Sequence, residues 1–197
     1  MNNKNKNKIS NVKKSVISAM CTAMCVVLPL MFHSIQNSSS ILCPMHIPVL
    51  LCGFICGWSF GMLCGLAGPL LSCFITGMPT MANLPVMMVE LMIYGIVVGV
   101  MMDIIKTKII YIDLYISLIA AMISGRIIAG MLSAFIYLGS GSAYSLSLWS
   151  ASYFVGSLPG IIIHLLLIPG IVFALERAKL IPRRYPDIKK GEKTYEF

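Results

Sequence analysis

Five long apolar stretches run through this chain, at roughly residues 15 to 33, 46 to 77, 84 to 102, 112 to 138 and 150 to 176. A hydrocarbon core is crossed by a helix of about 20 apolar residues, so each stretch is long enough to span a bilayer, and the second is too long for one crossing. That stretch holds Gly53, Gly57, Gly61, Gly65, Gly68 and Pro69. Residues of these types mark turns, and the stretch reads as two helices, 46 to 57 and 60 to 77, turning near Trp58 and Ser59. The expected fold is all-α, an integral membrane bundle of six transmembrane helices. Composition excludes an ordinary soluble domain: 58% of residues are hydrophobic and 11% charged, against about 25% charged in soluble chains.

The positions of the cations orient the bundle. Of 15 Lys and Arg, Lys4, Lys6, Lys8, Lys13 and Lys14 lie near the start, Lys106 and Lys108 in the middle, and the rest except Arg126 between Arg177 and Lys193. Six crossings put all three clusters on one side, which the positive-inside rule assigns to the cytoplasm. The opposite connections, roughly 34 to 45, 78 to 83 and 139 to 149, contain no charged residue. The chain therefore divides into a basic cytoplasmic segment over 1–14, a membrane domain over 15–176 and a basic cytoplasmic tail over 177–197. Both termini are expected in the cytoplasm and the protein in the plasma membrane. The net charge of +8 would suggest nucleic acid in a soluble protein; sorted this way it describes a membrane topology, and no nucleic-acid partner is expected.

A basic start before an apolar run is also the pattern of a secretory signal. Here the apolar part is long, contains Pro29 and lacks a small-residue cleavage site before Phe32 and His33, so it reads as a retained first helix. Six of the seven cysteines, Cys21, Cys25, Cys52, Cys56, Cys64 and Cys73, fall within expected helices and read as small hydrophobes. Cys43 sits in an outer loop, and no spacing has the pattern of a zinc site.

Ionisable groups at membrane depth are functional candidates because they are costly there. Glu90 lies about six residues, or about 9 Å, below the outer end of its helix, and Arg126 about 16 Å below the outer end of the next. The two can meet in the outer half of the bundle, as a structural ion pair or as the lining of an outward-facing polar cavity. His46 stands between Pro44 and Pro48 at the mouth of a helix, where it can meet a ligand or cap the helix. His164, on an otherwise apolar helix, reads as a satisfied buried histidine. Asn83, Tyr94 and Trp149 complete the expected substrate-binding set of Arg126, Glu90 and His46. No catalytic residue, metal site or cofactor is expected. Ala19 and Ala23, one turn apart beside Ser15, Ser18 and Thr22, form a small-residue stripe on which another helix can pack closely.

The chain resembles the substrate-binding subunits, or S components, of energy-coupling factor vitamin importers. The resemblance rests on the basic start followed by an Ala-x-x-x-Ala helix, on "CPMHIPVLLCGFICGW" at 43 to 58 and "GMLCGLAGPLLSCFITGMP" at 61 to 79, and on "ELMIYG" at 90 to 95 and "GRIIAG" at 125 to 130. It spans nearly the whole chain. It implies a subunit that captures a water-soluble vitamin or precursor at the outer face. The subunit docks on a transmembrane coupling protein carrying two cytoplasmic ATPases. It further implies that Ala19 and Ala23 form the docking surface and that the loop from Ser34 to Met45 acts as a lid. The ligand pocket would draw on that loop and the outer parts of the fourth to sixth helices. No phosphate-binding Gly-x-x-x-x-Gly-Lys-Ser/Thr occurs, so ATP would be used by the partner subunits.

Substrate identity does not carry over with the resemblance. Arg126 points to a carboxylate-bearing ligand, pantothenate-like or folate-like, because guanidinium grips carboxylate in a two-pronged fork. If Glu90 neutralises Arg126, a neutral ring such as riboflavin or a B6 vitamer fits equally. Two other classes compete. A stand-alone carrier or channel would be expected to show duplicated halves or a polar helix face, which are not seen. An intramembrane enzyme would have to assemble Glu90, His46 or His164 across the fold, since no two lie within one helical turn in sequence.

Overall fold

The computed structural model describes residues 10–32, 43–107, 109–139, 158–178 and 180. All regular structure among them is helical: α1 (Asn11–Phe32), α2 (His46–Cys56), α3 (Trp58–Thr76), α4 (Leu84–Ile104), α5 (Ile110–Gly139) and α6 (Leu158–Arg177). Local sequence sets the starts. The Ser10 hydroxyl accepts the Lys13 backbone N–H at 3.4 Å, the reach of an N-cap. Pro48 in α2 and Pro85 in α4 occupy first turns, where the missing N–H has no intrahelical acceptor to lose.

The long second stretch does split, at a single residue. Gly57, at φ +94°, is the whole link between α2 and α3, in a backbone region that favours glycine; the expected turn at Trp58 and Ser59 falls one residue later. The consequence lies in length. At 11 residues, α2 is about 16 Å long, roughly half of a hydrocarbon core. The other five helices are long and apolar enough to cross a membrane.

Glycines fix where this short helix sits. An ideal Cβ on Gly53 or on Gly61 would come within 2.7 Å of the Gly95 carbonyl oxygen, so α2, α3 and α4 meet backbone against backbone at one level. Gly99 is seated against Gly57 and Trp58, and His46 faces Glu90. Hence α2 runs alongside α4 in the same direction and begins at the level of Glu90, well below the outer end of α4. Gly65 meets Leu91, so α3 runs the opposite way.

The remaining directions follow from contacts. Cys56 Sγ reaches the Lys14 carbonyl at 3.6 Å and Cys25 Sγ reaches the Met45 carbonyl at 3.7 Å, which makes α1 antiparallel to α2. Asp113, at the start of α5, accepts the Thr107 backbone N–H at 3.0 Å and holds the short link after α4. The ring of Phe173 meets Tyr111, and His164 stacks on His46, so α6 runs antiparallel to α5. The helices alternate, and the start of α1, the link after α4 and the end of α6 share one end of the bundle.

Cys21, Cys25, Cys52, Cys56 and Cys64 are free and buried together where α1, α2 and α3 meet. Their small volume lets three helices approach closely. Among the described residues no group of three or more His, Cys, Asp or Glu is placed to hold a metal ion. On α5, Ile112, Ile116, Ile119, Ile123 and Ile127 are exposed, an apolar outer face suited to lipid.

Candidate functional site

The site grows from one stripe of α4. Residues 3 to 4 apart share a helix face, and Asn83, Met87, Glu90 and Tyr94 follow that spacing from the helix mouth inward. Tyr94 is fully buried, and its ring fills the space left by Gly125, where a Cβ would collide with it. Its hydroxyl donates to Glu90 Oε1 at 2.7 Å. Glu90 is 7% exposed, so its carboxylate is held by protein groups over most of its surface.

His46 supplies the second contact. Its Nε2 stands 3.7 Å from Glu90 Oε1. Its Nδ1 lies 3.1 Å from the Cys43 carbonyl oxygen, which also accepts the His46 backbone N–H at 3.0 Å. A carbonyl can only accept, so Nδ1 carries a hydrogen and Nε2 is the nitrogen left facing Glu90. Cys43 makes this possible by standing at φ +44°, a left-handed conformation uncommon for a residue with a side chain, which turns its carbonyl onto the start of α2. Burial and the Glu90 carboxylate push the Cys43 thiol up to about 11, against an opposing pull from Arg126.

His164 and Arg126 close the cluster from the other helices. The His164 ring lies 5.6 Å from that of His46 at an interplanar angle of 19°, and the Tyr94 ring 5.1 Å from His46 on another side. Arg126 is 2% exposed and directly follows Gly125, which faces the Tyr94 ring. The structure thus brings Glu90, Arg126, His46 and Tyr94 into one buried centre in the outer half of the bundle.

Because α2 starts deep, space remains above the cluster. A cavity of about 370 Å³ is lined by Pro29, Cys43, Pro44, Met45, Met78, Pro79, Thr80, Asn83 and Met87. Asn83 stands on its rim, apart from the buried centre, and makes no side-chain cap to α4. Met87 is one turn above Glu90, and Met45 precedes His46, so the cavity floor adjoins the cluster. Trp149, His33 and the loop residues 34–42 lie outside the described residues, so the expected lid is represented by Cys43, Pro44 and Met45. Cys43 and Met45 fall at the end of the expected lid, Ser34 to Met45, and line the cavity, whereas Met87 was not expected there. The i, i+4, i+7, i+11 spacing from Asn83 to Tyr94 was the signal for Met87; the part played by the Cys43 backbone carbonyl had no signal in the sequence.

Ala19 and Ala23 lie elsewhere, exposed on α1. They line an apolar groove of about 700 Å³ between α1 and α3, bounded on the far side by Phe60, Leu63 and Leu71. Small side chains on one wall and large ones on the other leave a trough in which a helix can lie.

No curated protein and no solved structure matches the chain. The ECF transporter substrate-specific component family matches residues 13–177, a range that takes in the cluster, the cavity and the groove. Members of this family are the substrate-binding modules of transporters rather than enzymes, and they work with a coupling protein and ATPases. The chain is a multi-pass membrane protein and belongs to the ECF transporter substrate-specific component family.

Proposed function

We propose that this chain captures a water-soluble vitamin or vitamin precursor at the outer face of the plasma membrane and delivers it to an ATP-driven coupling module. The observation that carries the reading is the buried His46–Glu90–Tyr94 centre at 2.7 and 3.7 Å beneath a cavity of about 370 Å³. Ionisable groups at that depth are costly unless they serve a ligand or a pathway, and a cavity with few convergent polar groups is the usual form of a small-molecule site. A carboxylate-bearing vitamin would be gripped by Arg126, and a neutral or cationic ring by Glu90. ATP is used by the partner subunits. We place Ala19 and Ala23 against the coupling protein.

The chain crosses the membrane six times in this reading, with both termini in the cytoplasm. Helix α2 counts as one crossing in this reading although it begins only at the level of Glu90, and it ends beside Gly99. An even number of crossings gathers the cations at 4 to 14, 106 to 108 and 177 to 193 on one side, as the positive-inside rule requires. The alternating directions of the helices support it.

Screening the purified chain against water-soluble vitamins by thermal shift tests the capture role. Stabilisation by one of them at micromolar concentration is expected, and none by any would overturn it. The docking role predicts that Ala19→Leu lowers uptake in cells at least tenfold while the affinity of the purified subunit for its vitamin is unchanged. Loss of binding in that variant would make the stripe structural.

A further inference from the structure

We infer that the substrate presents a hydrogen-bond-donating edge, an amino, ring N–H or hydroxyl group on an uncharged or cationic nitrogen heterocycle, to Glu90, and not a carboxylate to Arg126. The inference rests on the proposed capture role and adds the chemical class to it.

Both contacts that the described residues make with Glu90 fall on one oxygen. Tyr94 donates to Oε1 at 2.7 Å and His46 Nε2 faces the same Oε1 at 3.7 Å. Oε2 takes neither, and the side chain keeps 10% of its surface exposed. A carboxylate oxygen only accepts and is costly to bury without a donor. The group that completes the centre is therefore a donor, and a ligand entering from the cavity is placed to bring it.

Charge points the same way. Glu90 is itself a buried acidic side chain, and a carboxylate ligand would bring a second acidic group beside it in a buried setting. The walls suit a flat ring. Met45, Met78 and Met87 line the cavity with Pro29, Pro44 and Pro79, and thioethers make favourable contacts with aromatic rings. At about 370 Å³ the cavity lies near the lower end of small-molecule sites, which favours one or two fused rings over a long conjugate.

The test titrates the full chain in nanodiscs with two probe sets: pyridoxine, pyridoxamine and 4-amino-5-hydroxymethyl-2-methylpyrimidine as donors, and pantothenate, nicotinate and biotin as carboxylates. A donor probe is expected to bind at least 100-fold more tightly than any carboxylate, and Glu90→Gln to weaken it at least tenfold. Tight binding of a carboxylate probe that survives Glu90→Gln overturns the inference and leaves the capture role standing. Binding of neither set overturns the inference, and the wider vitamin screen then decides the capture role. Should Glu90→Gln not fold, the preference of the unaltered chain between the two sets decides the matter.

Discussion

The outer and inner halves of α4 serve opposite ends with the same helix. Outward of Leu91 one face carries the exposed Asn83, the half-buried Met87 and the buried Glu90, with Tyr94 reaching up to the Glu90 carboxylate. Further inward the same face offers Gly95 and Gly99, pressed against the backbones of Gly61 and of Gly57 and Trp58. The inner half removes side chains so that three helices close with no room to adjust. The outer half keeps long polar side chains and a cavity, because α2 has not yet begun. The contrast teaches that the site's depth is set from below: the glycine seam places the start of α2, and that start leaves the cavity open.

The seam and the cluster should respond differently to substitution. The largest effect is expected for Gly95→Leu, whose side chain would have to pass through the Gly61 backbone; the neighbours are main chain and cannot rotate away. Overpacking of a well-packed core costs about 1 to 3 kcal/mol and occasionally more, and a backbone clash belongs at or above the top of that range, so the variant is expected to yield no monodisperse protein in detergent. Normal yield and melting temperature would show that the seam is not rigid.

Tyr94→Phe probes the other half. It deletes one hydrogen bond to a charged group, worth about 1.5 to 3 kcal/mol, and leaves the ring that fills the space beside Gly125. The expected result is a melting temperature lowered by several degrees together with roughly tenfold weaker binding of the vitamin; the same loss of stability with unchanged affinity would move Tyr94 from the site to the scaffold. A smaller effect is expected at Cys43. Its thiol, pushed up to about 11, is almost wholly protonated at neutral pH, and thiolate is the nucleophile. Maleimide labelling of Cys43 should therefore be slow at pH 7, rise steadily towards pH 10, and be slowed by bound vitamin. Rapid labelling at pH 7 would mean that the cavity is wetter and more open than its lining implies.

Much of this was legible in the sequence, and the limits have physical causes. Apolar length marked the helices, glycine density marked a break in the second stretch one residue from its place at Gly57, and isolated charge in apolar runs marked Glu90 and Arg126, because each of these is a property of the chain read along itself. The expected bounds of α2, 46 to 57, already made it short, but the level at which it starts beside α4 was not legible. Nor was the pairing of His46 with Glu90 and its stack with His164, which depend on the level at which neighbouring helices meet. That level is set by backbone contacts at Gly53, Gly61 and Gly95, and a residue without a side chain records that something comes close without saying what. His164, read from sequence as a buried histidine, is buried, and its partner became visible only across the bundle.

The claim on which the rest depends is that the cavity above Glu90 is where the vitamin binds, and the most direct measurement is the dissociation constant of the vitamin for Met87→Trp. Met87 lines that cavity one turn above Glu90, and an indole there fills the space while the glycine seam and the α1–α3 groove remain as they are. A loss of at least 100-fold in affinity with an unchanged melting temperature is the predicted result. Affinity within threefold of the unaltered chain would contradict the account and place the substrate elsewhere in the bundle.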